Sequence, residues 1–240
     1  MACDVTTGVT SWLVQAHHPD VRRMPTPAPG RVLAERTCAA LVWNTFRTLA
    51  LIDPSFWLRH LHARLFGFDE RYRPPATLDV RLWVPVWPAP SRGDGRPVTI
   101  DVLLESDDTW WALLTLFESD VCMGPPDVAG PDPVIRAIDA LSWSAGCRDL
   151  FVGLISSGPA TAPVATRLMR RYAASPHLLA HRLSRPNGHG NLRGLGAGTW
   201  PTIATVLNEC CRASALDEPE RQAVGRCLEW FGAVGVSRDV

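Results

Sequence analysis

The sequence predicts an α/β protein with a mixed central sheet flanked by helices and a helical C-terminal extension. Three observations carry this reading. Apolar residues recur at three- and four-residue steps from Leu33, the period changes to two after Pro74-Pro75, and helical spacing returns at Asp132 before a short apolar run at Asp149 to Ile155. An apolar content of 46% in 240 residues is enough for a buried core and excludes disorder, collagen and coiled coil as whole-chain readings.

The first thirty residues end in Pro25, Pro27, Pro29 and Gly30, which read as an irregular lead-in to a single domain over 31–240. Ala39, Val42, Phe46 and Leu49 mark an amphipathic helix from Leu33 to about Ile52, with Trp43 on its flank and Glu35 on the same stripe. Asp53 is a good N-cap and Pro54 suits a first helical position, so a second helix is expected from Pro54 to Phe66. Leu78, Val80, Leu82 and Val84 alternate with Asp79, Arg81 and Trp83, as in a strand. Past a proline- and glycine-rich loop, Val98 to Glu105 and Thr109 to Glu118 form a β-hairpin about the turn Ser106-Asp107-Asp108. A helix over Asp132 to Gly146 and a buried strand over Asp149 to Ile155 follow, and further helices are expected at Ala162 to Ala173, Thr199 to Ala213 and Pro219 to Gly232.

Charge and cysteine usage narrow the chemistry. All 24 basic residues are arginine, against 24 acids, so any mechanism that needs a lysine is excluded and zero net charge offers no global attraction to nucleic acid. Seven cysteines without a C-x-x-C pair read as reduced and structural, and His17-His18 and His60-Leu61-His62 lack zinc-ligand spacing. The apolar stretch Trp110 to Phe117 is far shorter than the roughly 20 residues a membrane helix needs. The opening residues lack a secretory pattern, which makes the cytoplasm the expected compartment.

A glutamate-bearing helix, a hairpin with an aspartate on its first arm, then a helix and a further strand together resemble the restriction-endonuclease-like PD-(D/E)XK superfamily, from about Glu35 to Ile155. Asn44-Thr45-Phe46-Arg47, Pro54-Ser55-Phe56-Trp57-Leu58 and Asn191-Leu192-Arg193-Gly194 also resemble a bacterial branch of restriction endonucleases. In that family the hairpin aspartate and a glutamate bind Mg²⁺, while a lysine positions or activates the attacking water. The resemblance implies that Asp101 is the aspartate, and the turn at Asp107-Asp108 sets it opposite position 114. There the family pattern places glutamate, with lysine at 116, but this chain has Leu114-Thr115-Leu116. Asp132-Pro133-Val134 likewise stands where family members often carry an Asn-Gln pair.

The remnant catalytic set is therefore Asp101, Glu35 and Glu118. Glu118 lies about 13 Å along the strand from position 114, so it shares a metal with Asp101 only if the hairpin is bulged. Against this stand plainer roles: Asp101 as a polar strand residue, Glu35 as a first-turn acid, Glu118 as a solvated strand end. The expectation is a catalytically degenerate nuclease-fold protein without a cofactor, one that binds nucleic acid or assembles with a protein partner or a second copy, in bacterial defence or repair. Arg167, Arg170 and Arg171, with Arg182, Arg185 and Arg193, would supply the phosphate contacts. The alternative is a working Mg²⁺-dependent DNA endonuclease with migrated ligands, Asp101 and Glu118 holding the metal. A wholly structural subunit is the third reading. Asn191 to Thr199 also resembles a helix-hairpin-helix phosphate loop, although a plain turn and helix start is the favoured reading.

Overall fold

The computed structural model describes residues 38–89, 96–116, 132–184, 190–213 and 215–236, which divide between two compact units. No helix among the described residues is long and apolar enough to cross a membrane.

The first unit takes residues before 62, a short piece at Arg73–Ala76 and the C-terminal helices. Helix α1 (Cys38–Leu49) is buried along most of its length, and Asn44, Thr45 and Arg47 are buried with its apolar residues. The Arg47 guanidinium stands 4.7 Å from the centre of the Trp43 ring, which gives a buried cation a π partner. The expected helix over Pro54 to Phe66 is divided. Asp53 caps a single 3-10 turn, Pro54–Phe56, accepting from the Ser55 N–H at 2.8 Å, and after Trp57 the chain restarts as α2 (Leu58–Phe66). Cys210 and Cys227, on the C-terminal helices, donate to the carbonyls of Phe56 and Asn44. Burial pushes both thiols up to about 12, so they stay protonated, as structural cysteines do.

The second unit holds a five-stranded mixed sheet in the order β1-β2-β3-β4-β5. Its strands are β1 (Asp79–Val86), β2 (Val98–Glu105), β3 (Thr109–Thr115), β4 (Asp149–Ser156) and β5 (Leu192–Thr199). The first three pair antiparallel and β3, β4 and β5 pair parallel. Helix α3 (Pro133–Ser144) crosses between β3 and β4; α4 (Pro163–Ala174) and the one-turn α5 (His177–Ala180) cross between β4 and β5. Helices α6 (Trp200–Arg212) and α7 (Glu218–Ala233) complete the chain, α7 starting in a capping box of Asp217 and Glu220.

Alternation along β3 and β4 covers both faces of the sheet. Trp110, Ala112, Leu150, Val152 and Leu154 join a buried cluster with α3 and α4. Trp111 and Phe151, one residue out of phase, meet the rings of His62, Phe66 and Tyr72 on the other face. Asp132, expected inside α3, is its N-cap, with Oδ1 accepting from the Val134 and Ile135 N–H groups and Oδ2 from the Tyr172 hydroxyl at 2.7 Å.

At the hairpin end, Glu105 ties three strands together. Arg81 Nη1 lies 2.9 Å from one carboxylate oxygen, and Trp110 Nε1 donates to the other at 3.0 Å. Burial opposes its ionisation, but the hydrogen bonds from Arg81 and Trp110 and the charges of Arg81 and Arg148 outweigh it and hold the carboxyl below 4.5. A depressed pKa stabilises the fold above the ordinary value of 4.5 and loses that contribution as pH falls through the lowered folded-state value. Glu105→Gln is therefore expected to lower the melting temperature at neutral pH and to converge with the parent in acid, as thermal melts across that range would read.

Candidate nucleic-acid interface and the Asp101 site

The hairpin adopts the expected register. The ladder runs from Glu105↔Trp110 to Val102↔Leu113, one step short of Asp101 and Leu114. There the two strands part, because Asp101 Oδ2 accepts the Thr115 N–H at 2.8 Å in place of a backbone carbonyl. On the other side of β2 the β1 ladder also skips this point, pairing Leu82↔Val102 and then Val84↔Ile100. The residue between, Trp83, has a φ of 53°, an uncommon conformation for a bulky side chain. Ile100 and Leu103, three apart, consequently enter the same buried cluster, which a regular pleat would not allow.

Leu114 and Leu116, at the positions where the family pattern carries glutamate and lysine, pack against that cluster. Leu116 continues the parallel pairing of β3 with β4, its N–H donating to the Ile155 carbonyl at 2.8 Å. Among the described residues no group of three or more His, Cys, Asp or Glu is placed to hold a metal ion. Glu35 and Glu118 lie outside the described residues, as does Arg185.

The other arginines gather elsewhere. Helix α4 buries Ala165, Thr166, Met169 and Tyr172 and turns Arg167, Arg170 and Arg171 outward, all exposed, on one helical flank. Arg182 follows α5, its Nη1 3.4 Å from the Tyr172 hydroxyl. Burial, with the hydrogen bond to Asp132, raises the Tyr172 phenol to about 12, and the charges of Arg182 and Arg171 oppose the shift. Arg193 on β5 is held by Asp149 Oδ1 at 2.7 Å from Nε and by the Gly190 carbonyl at 3.0 Å from Nη1.

One signal in the sequence points to this surface more strongly than the run of arginines does. From Leu150 to Asn208 the chain has six arginines, three histidines and no Asp or Glu. Zero net charge over the whole chain conceals this segregation, and within the segment helix α4 packs on the edge strand β5.

Asn191 to Thr199 is neither a phosphate-binding hairpin nor a turn and helix start, because Leu192–Thr199 is the edge strand β5. Asn191 fastens its start: Oδ1 accepts from the Ser142 hydroxyl at 2.9 Å, and Nδ2 donates to the carbonyls of Ser142 and Gly146.

Beside β5 lies a cleft of about 750 Å³, lined on one side by His62, Phe66, Phe68 and Tyr72 and on the other by Tyr172 and Arg193. His62 stacks on Tyr72 with ring centres 4.0 Å apart. Burial pushes the imidazole below its usual value, the Asp69 charge only partly opposing, so His62 is neutral at physiological pH. In contrast to buried His62 and half-buried Tyr72, Phe68 is 70% exposed. The cleft presents aromatic faces, two carboxylates, Asp69 and Asp149, and one cation, Arg193, paired with Asp149.

No family model, curated protein or solved structure matches the chain.

Proposed function

We propose that this chain is a catalytically degenerate protein of the restriction-endonuclease-like type that binds nucleic acid through its phosphates, in bacterial defence or repair. The observation that carries the reading is the set of arginines on α4, after α5 and on β5, in a stretch of 59 residues, 150–208, without one acid. Supporting it at the other site, two leucines occupy the places of a metal-binding glutamate and a lysine, and both pack into the core. Arginine surfaces of this kind attract phosphate backbones whatever their sequence, so the predicted binding lacks base preference at the arginines themselves.

The test is fluorescence anisotropy with labelled DNA and RNA over a range of salt. Affinity is expected to fall steeply with salt, and Arg167→Ala/Arg170→Ala/Arg171→Ala to weaken binding and flatten the log–log slope by about 0.7 to 0.9 for each phosphate contact removed. All three side chains are exposed, so circular dichroism should be unchanged. Binding that ignores both salt and the triple substitution would refute the reading and favour a wholly structural subunit.

A further inference from the structure

We propose that the outer edge of β5 is a docking groove for an extended segment of a partner protein. The segment adds to the sheet as a further strand and sets a lysine or arginine side chain between the aromatic wall of the cleft and Asp69. The arginines of α4 take no part in this contact, which is separate from the proposed binding of nucleic acid.

The sheet has two edges, and the chain defends only one of them. Along β1 the charges of Asp79 and Arg81, the missing N–H of Pro85 and the positive φ of Trp83 (53°) all obstruct an incoming strand. Strand β5 has a single charge, Arg193, in eight residues and no proline. Past the bulge at Arg193 it pairs regularly with β4 from Gly194 to Thr199. A parallel ladder uses only alternate backbone groups of a strand for each neighbour, so half of those on β5 face outward. Among the described residues, none from Gly194 to Gly198 meets a hydrogen-bond partner outside the β4 ladder. Gly194, Leu195, Ala197 and Gly198 are half-buried, as the backbone of an open edge is.

The cleft lies along the first half of that edge, lined by Leu192, Arg193, Gly194 and Leu195, and its two walls rise from opposite faces of the sheet. Tyr172 and Leu179 share the buried cluster of α3 and α4 with Leu192 and Leu195, whereas Phe66 and Phe151 stand against Gly194 on the other face. A space of about 750 Å³ between such walls takes one extended chain. A second copy's β5 would arrive with its own α2 and α4 on its faces and collide with them. Main-chain hydrogen bonds to β5 supply the affinity, and alternate side chains of the added strand meet alternate walls. Charge decides what those side chains carry. Asp69 and Asp149 against Arg193 leave the lining one negative charge in excess, and Arg193 is already held by Asp149. Asp69 Oδ1 accepts the Arg71 N–H at 2.8 Å, and its second oxygen meets no donor among the described residues. Phe66 and Tyr72 line the same wall, where rings attract a cation. Ala173, Pro176 and Leu179 on the opposite wall suit small apolar side chains.

The experiment uses fluorescein-labelled peptides on the full chain, Thr-Val-Lys-Val-Thr and its analogue with Glu at the centre, read by anisotropy. The lysine peptide is expected to bind about tenfold tighter than the glutamate peptide. Asp69→Asn, which keeps the Oδ1 acceptor and the fold, should erase most of that difference. Because only alternate N–H groups of an added strand face β5, methylating the nitrogens of the two valines and methylating that of the lysine should differ, one abolishing binding and the other tolerated. Bound peptide should also slow amide hydrogen exchange in 192–199. Equal affinity for the two peptides, equal effects of the two methylations, or no binding of the lysine peptide at about 1 mM would overturn the inference. Arg167→Ala/Arg170→Ala/Arg171→Ala should not weaken the peptide, so either reading can fail while the other stands.

Discussion

Gly196→Ala is expected to unfold at a much lower urea concentration than the parent protein, the largest stability loss of any single methyl addition among the described glycines. A β-carbon at Gly196 would lie 1.9 Å from the Leu65 carbonyl oxygen and 2.6 Å from its carbonyl carbon. Both are backbone atoms in the last turn of α2, so no rotamer relieves the overlap and the helix end must leave the sheet. Ordinary overpacking costs about 1–3 kcal/mol, and a backbone collision belongs at or above the top of that range. Neighbouring positions supply a ranking. At Gly194 the added carbon meets the Phe151 and Phe66 rings at 2.8 and 3.1 Å, a moderate loss; at Gly153 it meets the ends of two leucine side chains, at 2.8 and 3.2 Å, a smaller one. Gly225→Ala, inside α7 with open space at its β-carbon, should instead stabilise by about 0.5–1 kcal/mol. An unchanged midpoint for Gly196→Ala would show that α2 does not rest on β5 as described.

That glycine patch also explains why β5 escapes a reading of the sequence. Leu192 to Thr199 contains three glycines, few β-branched residues and no alternation, so local propensity argues for a turn. The strand exists because α2 must approach closely there, a tertiary requirement that local propensity cannot report. Elements specified locally were legible: the period-two run before Val84, the Ser106 to Asp108 turn, and the helical spacing after Asp132, although the capping role of Asp132 itself was not read. The hairpin register followed from its turn alone. What sequence could not show was the use of Asp101, whose carboxylate takes the place of a backbone acceptor. The arginine surface was half legible, since the run on α4 was visible but its meaning depended on the missing acids around it. Phe68 carried no signal at all, because an isolated aromatic between Gly67 and Asp69 looks the same whether it faces water or core.

The parent protein is expected to cleave neither plasmid nor single-stranded DNA above background in Mg²⁺, and the two substitutions of Asp101 should differ in stability while agreeing in activity. Asp101→Ala leaves the part-buried Thr115 N–H without its acceptor, at a cost of about 1–3 kcal/mol, whereas Asp101→Asn keeps an oxygen there and should melt near the parent. A metal-binding carboxylate has the opposite signature: Asn preserves the fold and abolishes cleavage. The chemistry favours the first outcome. Leu114 and Leu116 offer neither a ligand nor a cation, the chain has no lysine, and arginine stays protonated and cannot serve as a base. Each tenfold in rate needs about 1.4 kcal/mol of transition-state stabilisation, and a site missing a metal ligand and the water-positioning cation forfeits several such steps at once. Nucleic-acid affinity should survive both substitutions, since the arginines of α4 lie outside the β2–β3 ladder. Mg²⁺-dependent cleavage that Asp101→Asn eliminates without lowering the melting temperature would overturn the degenerate reading and establish a working endonuclease.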